Sequence, residues 1–469
     1  MLFNSIEYLI FLPIVFIVYW LLKLNYKYQN ILLLISSYVF YGWWDYRFLS
    51  LIIFSSFIDY FVGKKIEKAN GKENKKRWLL VSLCSNLGLL AIFKYYNFFA
   101  DSFASTMSTL GWEVNDLTLN IILPVGISFY TFQTLSYSID IYREKIKSCK
   151  DIIAFFTFVS LFPQLVAGPI ERASNLIPQI EKRRSLNSTL VKTGIFQIFI
   201  GLFRKVAIAD NLGVYVDAAY ANHEIHNGST LLIATIFYAF QIYFDFSGYS
   251  DIAIGSAKLF GFKFNRNFNL PYFSKTLTEF WRKWHMSLSY WLRDYLYISL
   301  GGNRKGEILT YRNLLLTMLL GGLWHGSSWN FIIWGGIHGL FLSFEKFTFS
   351  KLKINTFNAF GFLYTFIVVL IAWVFFRAVD LNTAINILGK WISLEFGPIF
   401  IGDINAFVNG LLLAVTGILI DLKIFSSKTP LEDYGTKFST IRLSVVVSVI
   451  ILIICLFYST AENFIYFQF

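Results

Sequence analysis

The densest polar chemistry of this 469-residue chain lies inside an apolar stretch, residues 321–339, which reads GGLWHGSSWNFIIWGGIHG. It holds two of the five histidines, His325 and His338, with three tryptophans, Asn330 and six glycines in nineteen residues. A neutral imidazole can take a proton from a hydroxyl near neutral pH, and it costs far less to bury than an ionised carboxylate or ammonium. His325 therefore reads either as a reactive base or as a ring that bridges helices by hydrogen bonds. Trp324 and Trp329 flank it as candidate walls of a substrate channel, and Asn330 with the glycine-rich backbone could donate hydrogen bonds to a developing oxyanion. Gly321, Gly322 and Gly326 predict a helix break with His325 at the tip of a hairpin. His338 falls on a different helical face at about 3.6 residues per turn and reads as structural.

A second pattern spans 277–297. Leu277, Phe280, Trp281, Trp284, Leu288, Trp291 and Tyr295 recur at three- and four-residue spacing, with Arg282, Lys283 and Arg293 on other faces. The spacing predicts one amphipathic helix at a membrane interface. His285 sits at the edge of its apolar face, equally placed to point into a cavity or to be a satisfied interface residue. The basic face suits lipid head groups or the phosphates of a coenzyme thioester. Upstream, YFDFSGYSD at 243–251 sets Asp245 and Asp251 among aromatics, where they read as scaffold paired with arginines such as Arg266 or Arg282. His223 and His226 share a loop, and nothing else there suggests a metal; no metal site is expected. The chain ends FIYFQF at 464–469, an aromatic tail that would rest in an interfacial belt or thread back to the reactive histidine.

What positions these groups is a membrane. AVILMFWYC make up 56% of the chain and charged residues 15%, where soluble domains need about 25% charged, and the mean hydropathy is +0.55. A disordered chain, a nucleic-acid binder and a disulfide-stapled domain are excluded, since three cysteines cannot frame a fold. The net charge of +12 reads first as positive-inside orientation and attraction to anionic lipid. With about 20 apolar residues per span, crossings are expected at 6–22, 31–43, 48–62, 78–98, 121–139, 190–209, 230–246, 357–376, 406–420 and 444–457. Residues 6–22 lack a signal-peptide cleavage pattern and are kept as the first helix.

The lysine-rich loop 64–77 falls inside, and the segment 97–120, with Asp101, Glu113 and Asp116 but no Lys or Arg, falls outside. Basic flanks on both sides make 151–168 and 313–344 re-entrant hairpins, the latter as two short helices, and 210–229 an outer loop. The expectation is an all-α integral membrane protein, a single polytopic domain over 1–469 of about ten crossings plus hairpins and interfacial helices. Residues 155–345 would form its core, and 460–469 an extracytoplasmic tail.

GLWHG at 322–326, with WRKWH at 281–285 upstream, resembles the membrane-bound O-acyltransferase family. LFPQLVAGP at 161–169, YFDFSGYSD, NFNLPY at 267–272, WGGIHG at 334–339 and the FIYFQF tail are similar to its bacterial branch, which acylates cell-surface polymers in alginate and peptidoglycan O-acetylation and teichoic-acid D-alanylation. The motifs agree in order over nearly the whole chain. The resemblance implies a multi-helix bundle in which His325 is the active-site histidine, His285 a second histidine of this branch, and Tyr466 a C-terminal tyrosine that transiently carries the acyl group. The run SSWNFIIW at 327–334 is closer to the O-acetylation members. It implies acetyl-CoA as a cytoplasmic donor substrate with no permanently bound cofactor, an extracytoplasmic acetyltransferase or esterase-like partner, and a place in the bacterial inner membrane. A D-alanyl transfer protein and a transporter or flippase of a polymer precursor are the competing readings. A transporter would show broken helices in matching positions of two halves, and the interrupted segments here do not pair that way.

Overall fold

In the computed structural model, residues 1–112, 117–166, 168–351, 360–458 and 464–467 are described, and every regular element among them is helical. Glu113 and Asp116 of the acidic outer segment lie outside the described residues. The chain forms two compact units, one of 1–187 with 260–264, the other of 188–259 with 265–469.

In the first unit, the helix Ile6–Leu21 starts at Ser5, whose side chain accepts from the Tyr8 N–H, and buries Tyr8, Leu12, Val15 and Tyr19. Its other face leaves Ile10, Ile14 and Ile17 more than half exposed, a surface that only hydrocarbon would cover. Tyr26–Asp45, Leu49–Lys68, Lys72–Leu90 and Ile127–Tyr142 complete the long helices of this unit. The last begins at Ile127, not 121, because Gly126 turns the chain with φ +78°. Asp59, fully buried, accepts from the hydroxyls of Ser82 and Ser138 and, at 2.6 Å, from Asn86 Nδ2. Residues 151–168 are broken as expected, into Ile152–Ser160 and Phe162–Leu165.

The second unit is built on Gly228–Leu259 and the run Ser188–Leu202, which continues through a π-helical turn, Phe203–Ala209, into Asp210–Ala221. Most of the expected outer loop 210–229 is thus helix. Two pairs of glycines let the backbones touch: a Cβ on Gly201 would lie 2.6 Å from the Gly248 carbonyl oxygen, and one on Gly194 2.7 Å from that of Gly255. Close approach of this kind is how helices associate without a hydrophobic driving force.

The hairpin is two long helices, Glu307–His325 and Trp329–Lys351. Gly321 and Gly322 do not break the first; it runs through them and stops only at Gly326, which is extended. Gly322 serves contact instead, since a Cβ there would stand 2.1 Å from the Phe331 carbonyl oxygen.

The expected single helix over 277–297 is also corrected. It is Leu277–Trp281, a turn, then Met286–Trp291 and a π turn Leu292–Tyr297, with His285 left-handed at φ +40°. The cause is Asn267: its carbonyl oxygen accepts from the Met286 N–H at 2.9 Å, and its side-chain oxygen from Ser287 Oγ at 2.9 Å. Phe360–Arg377, Leu381–Ile392, Ile404–Ser426 and Thr440–Leu456 complete the unit's longer helices.

Among the described residues, five helical stretches are long and apolar enough to cross a membrane: Tyr26–Lys68, Lys72–Thr109, Gly228–Leu259, Phe360–Arg377 and Ile404–Ser426. Ile6–Leu21 and Thr440–Leu456 are shorter apolar helices.

Candidate active site

His325 is the last residue of its helix and is 4% exposed. Its ring lies 4.9 Å from Trp334, 5.0 Å from Trp324 and 5.4 Å from Phe376, centroid to centroid. Two further groups complete the chamber. Tyr466 comes within 5.6 Å of His325 and 6.4 Å of His285, and the two imidazoles are 6.5 Å apart. The aromatic tail therefore turns inward. Three residues that sequence separation sets 40 and 141 positions apart share one aromatic chamber within the second unit.

The tail is held by its backbone. The Ile465 N–H donates to Asp245 Oδ2 at 2.9 Å, and Phe464 packs 4.3 Å from Tyr249. Asp245 is itself paired with Lys205 at 2.7 Å, and Lys205 with Asp210 at 2.6 Å. Tyr466 then lies 4.4 Å from Phe246, and its hydroxyl makes no hydrogen bond among the described residues.

The tautomer of His285 follows from its neighbour. Asn267 Nδ2 donates to Ser250 Oγ at 3.0 Å, and the Ser287 N–H donates to Asn267 Oδ1. That orientation makes Oδ1 an acceptor, so the His285 Nδ1 at 3.1 Å carries the proton, and a neutral ring then offers Nε2 as a base. His338 is set the other way round. Trp281 Nε1–H donates to His338 Nδ1 at 3.3 Å, and Trp334 stands between His338 and His325, 4.8 and 4.9 Å from each. His338 supports the wall of the chamber.

Of the other residues singled out, Asn330 spends an amide hydrogen on the Ala378 carbonyl at 2.9 Å, and Trp329 is 54% exposed. Trp324, 4% exposed, also lies 6.1 Å from His285. The arginine partners expected for the two aspartates are corrected. Asp251 pairs with Arg204, which also holds Asp421; Arg266 pairs with Glu432 at 2.6 Å. Arg204 and Lys205 went unseen as site residues because they lie inside an apolar run, yet charges there are costly and mark a paired or working group. His226 stacks on Phe400 at 4.5 Å, and His223 Nδ1 lies 3.1 Å from the Tyr220 carbonyl. Among the described residues no cluster of three metal-ligating side chains occurs.

A cavity of 460 Å³ reaches Asn267 and Ser250, with Arg204, Asp421 and Lys428 also in its lining. It thus ends on the residue that fixes the His285 ring. A buried imidazole beside a phenol is an arrangement in which a base could take the phenol's proton.

A sequence model of MBOAT, the membrane-bound O-acyltransferase family, matches residues 144–382. The chain is 44% identical over 419 residues to a probable alginate O-acetylase AlgI of Pseudomonas syringae pv. tomato, covering 88% of this chain and 79% of the relative. It is 38% identical over 433 residues to a peptidoglycan O-acetyltransferase of Helicobacter pylori, covering 84% and 80%. A teichoic acid D-alanyltransferase of Bacillus subtilis is 30% identical over 240 residues, 49% of this chain and 60% of the relative. The chain belongs to the membrane-bound O-acyltransferase family. It is an all-helical, multi-pass membrane O-acyltransferase. The family match contains His285, His325, His338, Asp245 and Asp251, whereas Tyr466 and Asp421 lie beyond it.

Proposed function

We propose that this O-acyltransferase takes acetyl groups from cytoplasmic acetyl-CoA and passes them outward, for O-acetylation of an exported polysaccharide of the alginate type or of peptidoglycan. The observation that carries the reading is the Tyr466 ring held 5.6 Å from His325 in an aromatic chamber. The names and extents of the acetylating relatives support acetyl as the group.

The steps follow from the side chains. The Tyr466 phenol, with an unperturbed pKa of about 10, attacks slowly unless a base takes its proton. His325 takes it as the phenol oxygen bonds to the thioester carbonyl; the C–S bond then breaks and the thiolate recovers a proton. The result is a phenyl ester on Tyr466 and free thiol. A hydroxyl of the acceptor, or of an extracytoplasmic acetyltransferase or esterase-like partner, attacks that ester and restores the phenol. Each ester in the series is a poorer acyl donor than the one before, so transfer runs outward. His285, with Nε2 as its basic nitrogen, serves on the donor side, where the cavity meets Asn267. The bacterial inner membrane is the compartment where a cytoplasmic thioester and an exported polymer face opposite sides of one protein.

The test is labelled acetyl-CoA supplied to the full-length protein in membranes. Label is expected on the C-terminal peptide containing Tyr466, absent in Tyr466→Phe, and reduced about 10²- to 10⁴-fold in His325→Ala, the usual contribution of a general base. Label reaching the polymer undiminished in Tyr466→Phe would overturn the carrier role. Polymer-precursor movement that persists in His325→Ala would favour a flippase.

A further inference from the structure

A second cavity, of 620 Å³, lies in the same unit beneath the broken 277–297 segment. Its floor is apolar, with Leu292, Leu314, Met318 and Leu342, and its rim carries Arg282, Arg293 and Lys346. Among the described residues no carboxylate lines it. Arg293 is partly engaged by Asp294 at 2.7 Å, while among the described residues neither Arg282 nor Lys346 forms an ion pair. Glu345, next to Lys346, is turned to the N–H groups of Leu277 and Thr278. The cavity at Asn267 differs: its Arg204 and Arg266 are each neutralised by buried or half-buried acids.

Three cations above an apolar trough match a molecule with a phosphate at one end and hydrocarbon at the other. On the opposite faces of the same two helices, Leu316, Leu320, Leu340 and Phe344 are 37–61% exposed, as expected of helices that also face lipid. The basic loops place the trough on the cytoplasmic side. We propose that this cavity binds one anionic phospholipid, its phosphate on Arg282, Arg293 and Lys346 and an acyl chain along Leu314, Met318 and Leu342. Basic pockets between membrane helices are sites for such head groups. The lipid lies against Trp281, the donor to His338, so it braces the wall of the histidine chamber from outside. The inference is independent of the acyl group or carrier, because it is read by lipid retention.

The full-length protein in nanodiscs of phosphatidylcholine doped with phosphatidylglycerol, released for native mass spectrometry, tests it. Phosphatidylglycerol is expected to be retained selectively, and each of Arg282→Gln and Lys346→Gln should weaken retention roughly fivefold. Leu342→Trp, which fills the trough and leaves the charges alone, should weaken retention at least as much, and Lys72→Gln should leave it unchanged. Equal retention of the two lipids, or the same retention in the wild type and in the variants, would overturn the proposal. So would displacement of the lipid by inorganic phosphate or coenzyme A, which would assign the cations to a water-soluble ligand.

Discussion

Two buried carboxylate sites, one in each unit, are satisfied in different ways. In the first, Asp59 accepts, among the described residues, from neutral donors, the hydroxyls of Ser82 and Ser138 and the amide of Asn86. In the second, Asp251 and Asp421 share Arg204, and Asp245 shares Lys205 with Asp210. The neutral knot ties the Leu49–Lys68, Lys72–Leu90 and Ile127–Tyr142 helices together and ends there. The charged clusters have a further client: the remaining lone pair of Asp245 grips the tail that carries Tyr466. A hydroxyl shell makes a cross-link, while an ion pair with an oxygen left over makes a mount.

Arg204→Met would sharpen this contrast most. It strands Asp251 and Asp421 together without a counter-charge, and breaking a buried pair costs about 3–5 kcal/mol. A large drop in the unfolding midpoint of the solubilised protein is expected. Unchanged stability would mean that the two carboxylates do not depend on that guanidinium. Asp245→Ala comes next. Lys205 keeps Asp210, but the Ile465 N–H loses its acceptor at about 1–3 kcal/mol. The tail should become cleavable by added protease, and acyl label on Tyr466 should fall about tenfold, equivalent to 1.4 kcal/mol, with His325 intact. Asp59→Asn should do least. The carboxamide keeps one acceptor oxygen for the serines, so a loss of about 1 kcal/mol with unaltered activity per folded molecule is expected. Lost activity at full stability would join the two units functionally and break the distinction.

The chamber's principal ring, His325, was legible because an imidazole with glycines and tryptophans inside an apolar run has few bland explanations. Tyr466 was legible through the resemblance, and its inward path required the fold. Three features escaped. A three-four periodicity survives a turn when both halves face the same core, so 277–297 read as continuous although His285 reverses the chain. Glycine serves as breaker or as contact, and only the Phe331 carbonyl beside Gly322 decides between them. The partners of Asp245 and Asp251 lay 40 and 47 positions away along the chain, beyond the reach of local spacing. Gly194 and Gly201, seven apart and facing Gly255 and Gly248, carried a readable seam signal that the hydropathy pattern overshadowed.

The bond from Asp245 to the tail takes a main-chain hydrogen and ignores the side chain at 465. Such a latch asks for no functional group at 465, only for a side chain that fits the buried place of Ile465, and it keeps the next ring in line with the imidazole. Proline, which lacks that hydrogen, is the one residue type it cannot hold.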